Sequence, residues 1–230
     1  MSSAFNLTWD KSGEHIYETG VKMGVLYVVT GDTGAYGKGV AWNGLATVTE
    51  SPSGAEASAT YADDIKYLNL YSAEEFGATI EAYSYPEEFS VCNGESSLAK
   101  GVTIGQQDRR TFGLCYRTVI GNDIMGDNYG YKLHFIYGAK AAPSERAYTS
   151  INDSPEPITL SWELSTVPVS VNGYKATSYI CIDSTKCDAK KLEALEKIIY
   201  GTAATSESAN DGVDARLPLP DEIATLMAAE

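Results

Sequence analysis

The sequence predicts a mainly β protein: a single β-sandwich or barrel-like domain with one flanking α-helix and long loops or arms. Three observations carry this. Long runs alternate apolar and polar residues with period 2, as strands with one buried face do. Sixteen tyrosines and 21 glycines among 230 residues favour strands joined by many turns. Only one stretch of any length, Asp188–Tyr200, changes to the helical period.

Taken in order, residues 1–20 are polar and read as an N-terminal arm, with Tyr17-Glu18-Thr19-Gly20 as a turn. Val21–Thr30 follows as a strand, apolar enough over Val25–Val29 to be buried on both faces. Gly31, Gly34, Gly37 and Gly39 open a long loop region over residues 31–60. Their spacing matches neither GxxxxGK[ST] nor GxGxxG, so a connection is expected and not a phosphate cradle. Within this region Val40–Val48 reads as a strand, and Glu50–Thr60, rich in small residues, reads as a loop with no apolar anchor. A loop of this kind is functional or disordered. In an assembly it would be an arm on a neighbour.

Strands are expected within Tyr61–Phe89. There Phe76, Ala78, Ile80 and Ala82 share one face, while Glu75, Thr79, Glu81 and Tyr83 share the other. Val91–Gly101 is a polar connection. Arg109–Ile120 and Tyr131–Ala139 are strands around a Gly/Asn/Asp-rich hairpin tip, Gly121–Gly130. Pro143–Pro157 is a third connection, and strands follow at Ile158–Val167 and Tyr174–Asp183. The helix over 188–200 places Leu192, Leu195, Ile198 and Ile199 on one stripe, with Asp188 as N-cap and Gly201 just past its end. Residues 202–230 read as a C-terminal arm, mobile over Thr202–Ala215 and ending in a short amphipathic turn with Pro220 at its first position. No internal repeat is visible, so residues 1–230 are read as one domain with arms.

Charge and motif narrow the function. A net charge of −14 argues against a nucleic-acid grip, which needs a basic stripe. No apolar run approaches the roughly 20 residues of a membrane helix, and the first 20 residues hold no signal-peptide core. Cys92, Cys115, Cys181 and Cys187 form no C-x-x-C pair and are expected to stay reduced. With His15 and His134 the only histidines, no zinc site is expected, and the acids of the hairpin tip do not have calcium-loop spacing. The doublets Glu74-Glu75 and Glu87-Glu88 would point to opposite faces of a strand, unlike a glycosidase pair. No nucleophile elbow, HExxH or P-loop lysine is present, so neither enzyme activity nor a cofactor is expected.

The phrases GVAWNGLATVTESPSGAEAS, YADDIKYLNLYSAEEFGATIEAYSYPEEF, GVTIGQQDRRTFGLCYRT and RLPLPDEI closely resemble the major tail proteins, or tail tube proteins, of long non-contractile-tailed bacteriophages. The resemblance covers most of the chain from about Tyr17 onward. It implies a virion structural protein whose hexameric rings stack into a tail tube, assembled in the host bacterial cytoplasm, with genomic DNA passing through the lumen during ejection. It implies as partners further copies of the chain, the tape-measure protein, the tail terminator and distal tail proteins, and no membrane. Within this reading, Glu75, Thr79, Glu81, Tyr83 and Glu163 are lumen-facing candidates, and a negative lumen repels DNA. The stretch Glu50, Ser51, Pro52, Ser53, Gly54, Ala55 and Glu56 becomes an inter-ring loop. The alternatives are the inner tube of a contractile injection or secretion system and a secreted β-sandwich binding module.

Overall fold

The computed structural model describes residue 7 and residues 9–31, 34–151, 153, 156–204 and 212–228. In chain order its strands begin with β1 (Ile16–Thr30), β2 (Ala35–Tyr36), β3 (Val40–Trp42), β4 (Leu45–Glu50) and β5 (Ser53–Gly54). They continue with β6 (Ala57–Ala62), β7 (Ile65–Tyr71), β8 (Glu74–Glu75), β9 (Gly77–Ala82) and β10 (Ser96–Ala99). The last are β11 (Val102–Ile104), β12 (Phe112–Asn122), β13 (Gly126–Ala141), β14 (Leu160–Thr166) and β15 (Tyr179–Asp183). Two helices follow, α1 (Ala189–Tyr200) and α2 (Pro220–Ala228).

The main sheet runs β2-β1-β12-β13-β14-β9-β4, every neighbour antiparallel, with β3 also on β1 and β15 also on β13. The chain passes from β3 to β4 through Asn43-Gly44, where Gly44 takes φ +81°. Because β3 pairs with β1 and β4 with β9, this corner closes the sheet on itself as a barrel. Strand β13 serves two partners on one edge, β15 along Lys132–Ile136 and β14 along Ala139–Ala141. Between these lies Gly138, with φ +60°, where an added Cβ would sit 2.1 Å from the Val167 carbonyl oxygen. No side chain fits there.

The barrel interior is filled by Leu26, Ile80, Phe112, Leu114, Ile136, Leu164 and an aromatic group around Phe89. The Phe89 ring lies 4.6 Å from Trp42, 5.0 Å from Trp162 and 5.3 Å from Phe112. The buried Trp162 indole donates to Asn93 Oδ1 at 3.0 Å, so its N–H is not stranded. A second core lies outside the barrel, where Tyr27, Cys115, Leu133, Phe135 and Tyr137 face Leu192, Leu195 and Ile199 of α1 and Ile223 of α2. Around Gly24–Tyr27 of β1, Phe112–Tyr116 of β12 and Leu133–Ala139 of β13 the sheet is therefore buried on both faces. The apolar run at Val25 follows from this, Leu26 pointing inward and Val25 and Tyr27 toward the helices.

Helix α1 begins where the sequence predicts. The Asp188 carboxylate accepts from the amides of Lys190 and Lys191 at 2.9 and 3.1 Å, satisfying donors the first turn leaves free. Pro220 opens α2. Four expectations are corrected. Tyr17–Gly20 is not a turn but part of β1, which absorbs Gly20 and the left-handed Met23 in register shifts against β12. The region 31–60 contains strands β2 to β6, and Asn43-Gly44 splits the expected Val40–Val48 strand at the barrel corner. Val91–Gly101 includes β10, half of a small exposed hairpin with β11. The C-terminal segment is docked over 212–228: Thr202 bridges Val213, the Tyr137 hydroxyl donates to the Pro218 carbonyl at 2.9 Å, and Leu217 and Ile223 are buried. The rest of the expected mobile stretch, residues 205–211, lies outside the described residues.

Candidate functional site

Three surfaces stand out. The first is the outer side of β4, β9 and β14, which no helix covers. Register places Thr47, Glu81 and Ser161 in one row and Thr49, Thr79 and Glu163 in the next. On the opposite side of the same strands Val48, Ala78, Ile80, Trp162 and Leu164 fill the barrel. This exterior is a lattice of hydroxyls with two carboxylates, bordered by Lys140 opposite Ser165. Thus Thr79, Glu81 and Glu163 come together on one face. Glu75 does not join them: it pairs with Ser53 in the two-residue ladder of β5 and β8. Tyr83 lies past the end of β9, exposed beside the corner, its amide donating to the Gly44 carbonyl at 2.9 Å.

The second surface is a projecting hairpin. Where the sequence suggests a loop at Glu50–Thr60, the chain leaves the barrel after β4, makes the short β5–β8 ladder, and continues as β6 and β7. Asp63 and Asp64, at φ +52° and +61°, form its two-residue turn, the left-handed pair that a type I′ hairpin requires. The candidates Glu50 to Glu56 are thus its stem. The Ser51 amide donates to the Gly77 carbonyl at 2.8 Å, and the Glu56 amide to Ser72 Oγ at 3.2 Å. Every residue of β6 and β7 is exposed, including six large side chains: Tyr61, Ile65, Tyr67, Leu68, Leu70 and Tyr71. The sequence reading missed these six, although the acidic pair between two β-rich runs is a hairpin signal.

The third surface is a polar cavity of about 360 Å³ at the mouth of the barrel, below the hairpin stem, lined by Glu18, Val48, Glu50, Tyr116, Thr118, Lys132, His134, Tyr179 and Cys181. His134, only 6% exposed, stacks on Tyr116 with ring centroids 4.6 Å apart. Its Nε2 lies 2.9 Å from Thr118 Oγ1 and its Nδ1 2.7 Å from the Tyr179 hydroxyl. The Thr118 hydroxyl donates to Glu18 Oε1 at 2.6 Å, and the Tyr116 hydroxyl to Glu50 Oε1 at 2.7 Å. Burial drives the His134 pKa down, against the upward pull of Glu50 and Glu18. Burial opposes ionisation of Glu18, but hydrogen bonds from Lys132 and Thr118 outweigh it and hold its carboxyl below the usual range. Burial, reinforced by Glu50, pushes the Tyr116 and Tyr179 phenols up. Thr118, His134 and Glu50 line up as hydroxyl, imidazole and carboxylate, yet the threonine proton is committed to Glu18. Among the described residues, no group of three or more His, Cys, Asp or Glu side chains could hold a metal ion, and no helix is long and apolar enough to cross a membrane.

No family model and no curated protein matches the chain. Its structure is similar to a chain in the cryo-EM structure of the anti-feeding prophage baseplate, 6-fold symmetrised, with a TM-score of 0.36 and 9% identity over 78% of this chain and 99% of that one.

Proposed function

We propose that this chain is a structural subunit, not an enzyme, that polymerises into a tube of the bacteriophage tail type. The observation that carries the reading is the β6–β7 hairpin. A two-stranded hairpin with six large apolar side chains in water is marginal by itself, and a surface of this kind marks a protein–protein contact. The resemblance of the sequence to tail tube proteins supplies the occupant, a neighbouring copy of the chain. The hydroxyl and carboxylate lattice of β4, β9 and β14 supports the same reading, because a conduit for DNA needs a wall that is wettable and does not hold phosphate. In its finer form the proposal is of hexameric rings stacked in a non-contractile tail, DNA passing through the lumen, and the tape-measure, terminator and distal tail proteins as partners in the virion.

Electron microscopy and sedimentation of the purified chain test it. The wild type is expected to form stacked rings or tubes. Because Ser72 donates its amide to the Glu56 carbonyl at 3.3 Å, the stem ends are close enough to join, and a variant with residues 57–71 replaced by a short glycine linker is expected to fold and remain monomeric. A wild type that stays monomeric at every concentration, or a hairpinless variant that still forms tubes, overturns the reading.

A further inference from the structure

We propose that the β6–β7 hairpin is a wedge held between two further copies of the chain, one seated on each of its faces. This rests on the reading of the chain as a polymerising subunit and names what its hairpin binds. Pairing assigns the faces. Ala57 lies opposite Tyr71, Ala59 opposite Asn69 and Ala62 opposite Ile65, so these share one face with Tyr67. Ser58 lies opposite Leu70, Thr60 opposite Leu68 and Tyr61 opposite Lys66, and these share the other. The register shift between Thr60 and Tyr61 keeps both on that second face, where strict alternation would send Tyr61 to the first.

Each face therefore presents three large apolar side chains to water: Ile65, Tyr67 and Tyr71 on the first, Tyr61, Leu68 and Leu70 on the second. A hairpin lying on a single partner needs one apolar face only, and period-2 alternation would leave the other polar. The chain's own barrel covers neither face, since every residue of both strands is exposed. Three such side chains bury on the order of 400 Å². That is about half of the roughly 800 Å² that each partner contributes to a stable interface. The two faces together reach it.

Lipid and nucleic acid do not fit this surface. The strands β6 and β7 form a two-stranded sheet, so both outer edges carry backbone groups without sheet partners, which hydrocarbon would strand. Asp63 and Asp64 at the turn, on a chain of net charge −14, repel phosphate. A second copy fits, because the chain carries the counterpart itself. The β6–β7 hairpin precedes Gly77, the first residue of β9, and the β10–β11 hairpin follows Ala82, its last, so the two leave opposite ends of the barrel. The β10–β11 hairpin exposes Leu98, Val102 and Ile104, and its turn carries Lys100 where the other carries Asp63 and Asp64. Apolar surface then meets apolar surface, with tips of opposite charge. The faces of β6–β7 also differ, the first uncharged and the second bearing Lys66, so two different surfaces cover them. One copy could take both only in a deep apolar cleft; the cavity at the barrel mouth is polar and, at about 360 Å³, too small for a two-stranded hairpin.

Photocross-linking counts the partners. A trace of full chain carrying p-benzoylphenylalanine in place of Tyr67, of Leu68, or of both is co-assembled with a large excess of wild type and irradiated. Either single replacement is expected to give a two-chain product, and the double replacement a three-chain product. The peptides captured from the two positions are expected to differ. Serine substitutions then weigh each face. Tyr67→Ser with Tyr71→Ser strips the first, and Leu68→Ser with Leu70→Ser the second; all four side chains are exposed, so the melting temperature is expected to hold. Each pair is expected to raise the concentration needed for tubes about tenfold or more. If the double replacement gives two-chain products only, or if one serine pair assembles as the wild type does, the hairpin has a single partner; the wedge is then overturned while the polymerising subunit stands. A wild type that never assembles, or a hairpinless variant that still forms tubes, overturns both.

Discussion

The Tyr116 hydroxyl reaches across the barrel mouth to Glu50 Oε1 at 2.7 Å, tying the middle of β12 to the last residue of β4. These residues are 66 positions apart in sequence, and the bond joins the wall beneath the helices to the wall from which the hairpin grows. Tyr116→Phe keeps the ring on His134 and removes only the bond. Because the acceptor is a carboxylate but partly open to water, the expected loss is about 1–2 kcal/mol. Urea unfolding checks it; an unchanged midpoint would show that the bond is solvent-exchanged and contributes nothing.

Leu195 is fully buried between α1 and the outer face of the sheet. Leu195→Ala is expected to cost about 2–5 kcal/mol, the spread depending on how far the helix can settle into the space. Thermal unfolding measures this. A melting temperature equal to the wild type would show that α1 rests loosely on the sheet.

The Leu195 stripe was legible in the sequence because helical period, N-cap and following glycine all agree. The alternation at Phe76–Ala82 was legible for the same reason, local pattern matching local structure. The segments Phe112–Thr118 and Tyr131–Tyr137 were legible as strands, but not their burial on both faces over Phe112–Tyr116 and Leu133–Tyr137, which comes from the helices packed outside the barrel. What the pattern could not show was partner choice. Val40–Val48 reads as one strand, and only the separate partners of β3 and β4 make Asn43-Gly44 a barrel corner. His134 reads as a polar-face residue because its neighbours Leu133 and Phe135 are apolar. Its burial comes from Glu50, Tyr116 and Tyr179, none of them near it in sequence. The C-terminal segment reads as an arm since the groove that takes Leu217 and Ile223 exists only after α1 has packed.

Two shifted groups predict how stability follows pH. His134 is held below its ordinary value, so the unfolded chain takes up that proton first; its contribution is full above the ordinary imidazole range and is lost as pH falls through the folded value. Glu18 is also held below its ordinary value, so its contribution is full above the usual carboxylate range and lost on further acidification. Melting temperature is therefore expected to fall in two stages between neutral pH and about pH 3. His134→Gln should remove the upper stage and keep the lower one. A single transition confined to the carboxylate range in the wild type would show that His134 titrates normally.

The remaining prediction concerns the lattice of β4, β9 and β14. Glu81 stands between Thr47 and Ser161, and Glu163 opposite Thr79, so both carboxylates rise from one uncovered wall whose other side is barrel core. If that wall lines a tube, each ring repeats the pair and the passage is negative along its length. Screening confines the field to about 8 Å at physiological salt, so it acts only on a polyanion close to the wall, the range over which sticking must be prevented. Glu81→Lys changes one charge on the outside of the barrel and leaves the core packing alone, so folding and polymerisation are expected to persist. The wall then gains a phosphate contact per subunit, and DNA is expected to be retained at low salt and released as salt rises. Glu163→Lys should act in the same direction, and the double variant more strongly. The measurement is DNA ejection from particles carrying each variant at low and high salt. Tubes that form normally and eject as the wild type does at both salts would mean that this face does not line the passage, and would move the search for the lumen to another side of the barrel.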